Sequence, residues 1–346
     1  MQPKRIAAAL VAGFTALALA ACSGGTGSTG GAQQPEKVFR LAFNQTEAHP
    51  QYKAAVQLGV DLKKATNGRY SIEVYPNEQL GTQADVVTNV SNGTIEMMYI
   101  GGPVMESFNK DFIVFNLPYV FDSQEAQAAV FSDDAVMGDL KKSIEASKKI
   151  TVLAALHAGV RNVYNADKAI KAPADLTGLK IRVQQSDSQV KMIQAMGAVA
   201  SPMSQGEVYA ALQSGVLDGA ENNETVFNAL KHDEVAKFYS YTRHLMIPDY
   251  LLINSDALAA MSDADRKAFQ DLIPGAVKAA NTGFLEFVAT SKAASQKAGA
   301  TFNDDVDTAA FKKLVQPLVT ESISNPVRQK LYDAVQKANA ANPAKK

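Results

Sequence analysis

The segment from Gly178 to Asn223 holds the residues best suited to chemistry. Arg182 falls inside the alternating apolar pattern Leu179-Lys180-Ile181-Arg182-Val183. A permanent cation in a buried strand is expensive unless something anionic meets it. A guanidinium is a rigid planar fork of donors that matches a carboxylate bidentately. The expected chemistry is therefore capture of a carboxylate. A structural arginine paired with a buried Asp or Glu is the competing explanation, and the segment alone leaves both open.

Other chemistries find little support. His49, His157, His232 and His244 include no pair at i, i+4, and Cys22 is the only cysteine, so no metal site is expected. There is no Gly-x-Ser-x-Gly elbow, no phosphate-binding loop and no dinucleotide glycine fingerprint. Gly101-Gly102 is too short to mark a phosphate site, and Asp304-Asp305 reads as solvated charge in a polar turn. An enzyme needs a positioned base or a metal, and neither constellation is evident. The 34 Lys and Arg balance 35 Asp and Glu to a net −1, with no basic run of the kind nucleic acid requires.

The chain begins with basic Lys4 and Arg5 and an apolar run, Ile6 to Ala20, too short for a normal spanning helix. It ends in Leu19-Ala20-Ala21-Cys22, which resembles a bacterial lipoprotein signal. Residues 1–21 are thus expected to be a signal peptide and Cys22 to be lipidated, although an ordinary export signal with a chance cysteine would look similar. Residues 22–36, rich in Gly, Ser and Thr, are expected to form a flexible tether. These features predict an exported protein, lipid-anchored on the periplasmic or cell-surface side of a membrane.

Two series of α/β elements follow. Strands are predicted at 38–43, 70–75 and 95–100, alternating with helices at 52–66 and 82–91, which argues for a parallel, doubly wound sheet. The run Ile150 to Leu156 suits a strand covered on both faces. The second series reads strand 179–183, helix 188–196, helix 207–213 and strand 220–221. A further strand, 249–254, precedes a long helix with Ser262 as N-cap, which Pro274 should interrupt or kink. Helices at 307–322 and 326–338 complete the pattern. Ligands in such sheets sit outside the carboxyl ends of strands, here near Asn44, Gly101, Arg182 and Asn222.

Several blocks, in this order, carry a resemblance: Val74-Tyr75-Pro76, Gln79-Leu80-Gly81, Phe115-Asn116-Leu117-Pro118-Tyr119-Val120-Phe121, the run Pro173 to Val183, the run Glu207 to Gln213, and Asp218-Gly219-Ala220-Glu221-Asn222. With them the chain resembles the substrate-binding proteins of tripartite ATP-independent periplasmic (TRAP) transporters, the DctP-like family. The resemblance implies an α/β, two-lobe periplasmic-binding-protein-like fold with hinged lobes and a long helix crossing both. The expected lobes are 37–158 plus about 248–287, and 159–247 plus about 288–342. It implies a binding protein without catalysis or cofactor, whose partners are a small organic acid and the membrane permease subunits; a monomer is expected.

By the same resemblance Arg182 matches the family's anion clamp, Arg161 a second site arginine, Asn222 the asparagine after Asp-Gly-x-Glu, and Asn44 the end of the first strand. Asn222 could instead cap the helix that follows, and Arg161 could make a structural ion pair. Where sialic-acid-binding members carry a glutamate and Pro-Asn, this chain has Gly101-Gly102 and Gln184-Gln185, and Asn223 stands where many members have proline. The amides of Asn44, Gln45, Gln184, Gln185, Asn222 and Asn223 suit a polyhydroxylated acid, a uronate or aldonate, better than a bare C4-dicarboxylate or keto acid. Gly102 and Tyr250 complete the expected site, Tyr250 as a wall of the cleft. An exported sugar-acid lyase or isomerase, and a ligand sensor, are the alternatives.

Overall fold

A computed structural model describes residues 36–344. The expected signal peptide, Cys22 and all but the last residue of the expected tether lie outside the described residues. The chain first builds β1 (Lys37–Ala42), α1 (Pro50–Ala65), β2 (Tyr70–Tyr75), α2 (Gln83–Asn92), β3 (Met97–Gly101), α3 (Gly102–Met105), a 3-10 turn at Lys110–Asn116, α4 (Gln124–Phe131), α5 (Asp134–Lys142), α6 (Glu145–Lys148) and β4 (Ile150–His157). It then crosses into β5 (Arg161–Asn165), β6 (Lys180–Val183), α7 (Asp187–Ala195), β7 (Val199–Pro202), α8 (Val208–Gln213), β8 (Gly219–Asn222), α9 (Glu224–Ala229), α10 (His232–Val235) and β9 (Phe238–Leu245). Last come β10 (Pro248–Asn254), α11 (Ser255–Ala259), α12 (Asp263–Lys297), β11 (Thr301–Asn303), α13 (Thr308–Ser322) and α14 (Pro326–Ala341).

Local chemistry sets several of these boundaries. Pro50 opens α1, where a missing N–H costs nothing, and the His49 side chain accepts the Gln51 N–H. Thr82 caps α2, and Gly93 ends it in the left-handed conformation at φ 80°. Ser262 caps α12, with Asp263 and Asp265 in the positive first turn.

The strands form two sheets, ordered β2-β1-β3-β10-β4 and β11-β9-β5-β8-β6-β7. Each defines one lobe. Neither is the purely parallel sheet expected from the alternation. β10 runs antiparallel to β3 and β4, and β5 runs antiparallel to β8 and β9. The reason is the path of the chain: β10 is inserted into the first sheet only after the chain has built the second lobe and returned.

The first sheet is covered on both faces. Met98, Ile100, Tyr250 and Leu252 pack with Phe112, Phe115 and Phe131. Their neighbours Met97, Tyr99, Leu251 and Ile253 face Leu58, Phe269 and Ile273. The twofold alternation of β3 and β10 thus divides one strand pair between two cores. In the second lobe, Val163, Ile181 and Val183 pack with Met192 and Ile193, while Tyr164, Phe227 and Tyr239 form a separate aromatic core.

Helix α12 joins the lobes. It packs on α1 and β4 of the first and on α9 of the second. It continues as one 35-residue helix through Pro274, so of the expected interruption or kink the proline does not produce an interruption. Packing at Phe269, Ile273 and Ala280 on either side of the proline holds the axis together. The C-terminal region also departs from expectation. The resemblance places about 288–342 in the second lobe, but α14 packs on α4, and Val319, Leu331 and Val335 join the core of the first. Phe311 and Val315 of α13 stay with the second-lobe core. Helix α13 therefore passes from one lobe to the other.

Helix α1 approaches β2 closely at Gly59, where an added Cβ would lie 2.7 Å from the Ile72 carbonyl oxygen. Gly59→Ala should lower stability by about 1–3 kcal/mol through overpacking, outweighing the ~1 kcal/mol that alanine gains in helix propensity. A fall in the urea midpoint at unchanged m-value is the expected reading.

Candidate functional site

The end of β1, the N-terminus of α1, the β4–β5 crossing, the ends of β6 and β8, and the start of β10 meet where the lobes face each other. Asn44, Gln45 and Asp249 from the first lobe, and Arg161, Gln184, Gln205, Asn222 and Asn223 from the second, line one small cavity. Its volume is about 20 Å³, room for about one water, so the lobes stand closed on each other.

Arg161 and Arg182 are both buried, 3% and 2% exposed, but their partners differ. The protein engages four of the five N–H donors of Arg161, which also lines the cavity. Its Nε donates to Glu221 Oε2 at 2.5 Å and its Nη2 to Glu221 Oε1 at 2.6 Å. The Glu221 carbonyl and Asn222 Oδ1 accept the remaining bonds at 2.7 and 3.0 Å. Burial pushes the Glu221 carboxyl up, but the Arg161 charge and hydrogen bonds from His244 and Arg161 outweigh it and hold the group at about 2. The structural ion pair that was the alternative for Arg161 is therefore present.

Arg182 has no such carboxylate. Its Nε and Nη2 both donate to the Met203 carbonyl, at 3.0 and 2.7 Å. Among the described residues no acid lies within ion-pair distance of it. Burial, reinforced by the Arg161 charge, lowers the Arg182 guanidinium to about 10, with only partial relief from Glu221 and Glu78.

The remaining expected residues divide. Asn223 is the helix cap, accepting the Val226 N–H at 3.0 Å and donating to the Ala158 carbonyl at 2.6 Å. That is the capping role weighed for Asn222, which instead turns Oδ1 to Arg161 and the Asn223 N–H. Gln184 Oε1 and Gln205 Nε2 are buried without a protein partner among the described residues. Gln184 reaches the first lobe at Gly101, where an added Cβ would lie 2.7 Å from its Nε2. Gly102 does not serve this approach; it packs under Asn116 and Pro248. Gln185 is exposed and lines a different, larger cavity of about 740 Å³. Tyr250 does not wall the cleft. It is fully buried in the first-lobe core, edge-on to Phe112 at 5.3 Å, because the strand alternation turns it to that face.

Two residues that sequence reasoning passed over cross between the lobes. Glu78 accepts the Gly206 N–H at 2.9 Å. Glu106 accepts the Ser186 and Ser188 hydroxyls at 3.1 and 2.8 Å. Asp249, His49 and Gln205 were also missed as cavity residues. Asp249 had a signal: an acid at the start of an otherwise apolar strand.

Removing one partner of a buried ion pair strands the other. Glu221→Gln should cost about 3–5 kcal/mol in urea denaturation, whereas Arg182→Met, which removes an unpaired buried cation, should change stability by about 1 kcal/mol or less. A second expectation concerns pH. Burial drives the Glu106 carboxyl up to about 7 against the hydrogen bonds of Ser188, Asn116 and Ser186, and Asp187 adds to the rise. The folded protein therefore binds this proton more tightly than the unfolded chain, and stability from this group rises as pH falls from about 7 toward 4.5. Thermal unfolding should show Glu106→Gln more stable than the parent at pH 8, with the gap closing at pH 5.

The profile of bacterial extracellular solute-binding protein family 7, DctP, matches residues 41–325. A solute-binding protein of Chromohalobacter salexigens is 32% identical over 298 residues, covering 85% of this chain and 87% of its own length. A TRAP periplasmic solute binding protein of Anaerococcus prevotii, solved with α/β-D-glucuronate, is 36% identical, with a TM-score of 0.87 over 89% of this chain and 100% of that one. Another, from Xanthobacter autotrophicus and solved with β-D-galacturonate, is 32% identical, with a TM-score of 0.82 over 87% of this chain and 99% of that one. With its two-lobe architecture and a matching profile over most of its length, the chain belongs to the DctP family of bacterial extracellular solute-binding proteins.

Proposed function

We propose that this protein is the extracytoplasmic solute receptor of a TRAP transporter and that it captures a sugar acid, a hexuronate or related aldonate, between its lobes. Arg182 carries the reading: a buried guanidinium on the second sheet with no acid of the protein at ion-pair distance among the described residues. A ligand carboxylate is the natural counter-charge. The bound glucuronate and galacturonate of the two solved relatives support a sugar acid. Asn44, Gln184, Gln205 and Asn222 offer neutral amides that exchange hydrogen bonds with hydroxyls.

The cavity between the closed lobes has room for about one water, so the lobes separate to admit a hexuronate and then close around it at a wider spacing than in this structure. The ligand drives closure by binding the closed form better than the open one. In this reading residues 1–21 export the chain, Cys22 anchors it by lipid, and the closed monomer hands its solute unchanged to the membrane permease. No catalysis is invoked, and incubation with uronates should return them unaltered.

Calorimetry with D-glucuronate and D-galacturonate tests the clamp. Arg182→Met should weaken binding by roughly 30- to 5,000-fold, the equivalent of about 2–5 kcal/mol for a buried charge pair. Unchanged affinity in a folded Arg182→Met protein would falsify it.

A further inference from the structure

We propose that Asp249 is a specificity residue: its carboxylate accepts hydroxyl protons of the bound sugar acid and repels ligands that carry a second carboxylate. The inference rests on the sugar-acid reading and deepens it. Asp249 lies on β10 of the first lobe and lines the cavity between the lobes, while Arg182 lies buried on β6 of the second lobe, beside the cavity residue Gln184 in the chain.

Three observations support the assignment. Asp249 lines the same cavity as Asn44, Gln184 and Asn222. It is held by a single side-chain bond, Gln51 Nε2 to Oδ2 at 3.0 Å, with Gln51 Nε2 also touching the His157 carbonyl at 3.3 Å. That grip fixes the carboxylate and leaves Oδ1 without a protein hydrogen bond among the described residues. Finally, no cation claims it. Arg161, whose charge it feels, is already bound bidentately to Glu221.

The charge balance of the site then has a consequence. Arg161 and Glu221 cancel, which leaves Arg182 positive, with partial relief from Glu78, and Asp249 negative. A monocarboxylate satisfies Arg182. Its hydroxyls, each a donor, satisfy Asp249, and an ionised carboxylate accepts hydroxyl donors more strongly than a neutral group does. A C4-dicarboxylate offers Asp249 no hydroxyl chain and sets a second negative charge against it. Specificity of this kind needs a repulsive element as well as an attractive one. A site built to pair with a hydroxyl also rejects the analogue that lacks it. Burial raises the Asp249 carboxyl to about 6, partly offset by the Gln51 bond and the Arg161 charge, so at pH 8 it is ionised.

The experiment is calorimetry at pH 8 on the full chain and on Asp249→Asn, with D-glucuronate, D-galacturonate, their monodeoxy analogues and succinate. For the parent protein, uronate affinity should exceed succinate affinity by at least a hundredfold, and loss of one hydroxyl should weaken binding tenfold or more. In Asp249→Asn the uronate-to-succinate ratio should fall at least tenfold, and the deoxy penalty at that hydroxyl should shrink by the same order. Should Asp249→Asn not fold, Gln51→Met, which releases the carboxylate from its only side-chain bond, should also reduce the ratio. An unchanged ratio with an undiminished deoxy penalty overturns the role of Asp249 while leaving the receptor reading intact. A parent protein that binds succinate but no uronate or aldonate overturns the reading beneath it.

Discussion

Two buried guanidiniums share one buried carboxylate, and the rest of the site follows from that imbalance. Glu221 is committed to Arg161 by a bidentate pair and a further bond through its own carbonyl. Arg182, close enough for the Arg161 charge to depress it, is left with a backbone carbonyl. Taking a cation out of water costs several kcal/mol unless a counter-charge meets it. Arg182 sits on β6, between β8 and β7, buried and without an acid at ion-pair distance among the described residues.

That arrangement needs rigid support, and the second sheet provides it. The pairing of β5 with β8 sets Val163 opposite Glu221 and Asn162 opposite Asn222. Tyr239 ties the same strands together: its hydroxyl donates to the Asn222 carbonyl at 2.9 Å and accepts from Asn162 Nδ2 at 3.1 Å. Buried networks of this kind hold their geometry only when each member is satisfied. Arg161 is thus a strut for the end of β8, and its neighbour Asn223 caps α9 and straps it to the β4–β5 crossing.

The contacts between lobes have a different character. Glu78, at φ 55°, and Glu106 are acids of the first lobe satisfied by neutral donors of the second. Hydrogen bonds to neutral partners across an interface contribute modestly compared with apolar burial. The apolar cores lie within each lobe. Closure is therefore held by a few polar contacts on either side of the cleft, while α12 and the strand crossings keep the lobes attached.

Sequence periodicity and caps identified most elements. The bounds of β2, the cap at Ser262 and the stop at Gly93 follow from residue type alone, because side-chain alternation and backbone conformational preference are local properties. The buried cation at position 182 was legible for the same reason, as a charge inside an apolar alternation. Strand direction was not, since β10 and β5 owe their antiparallel sense to the route of the chain between lobes. Nor could the sequence assign partners: that Glu221 takes Arg161 and not Arg182, that Asn223 rather than Asn222 caps the helix, that Tyr250 turns into the core, and that Asp249 reaches the cavity. Those outcomes depend on which residues, distant in the chain, are brought within a few ångströms, and only the packed tertiary structure decides that.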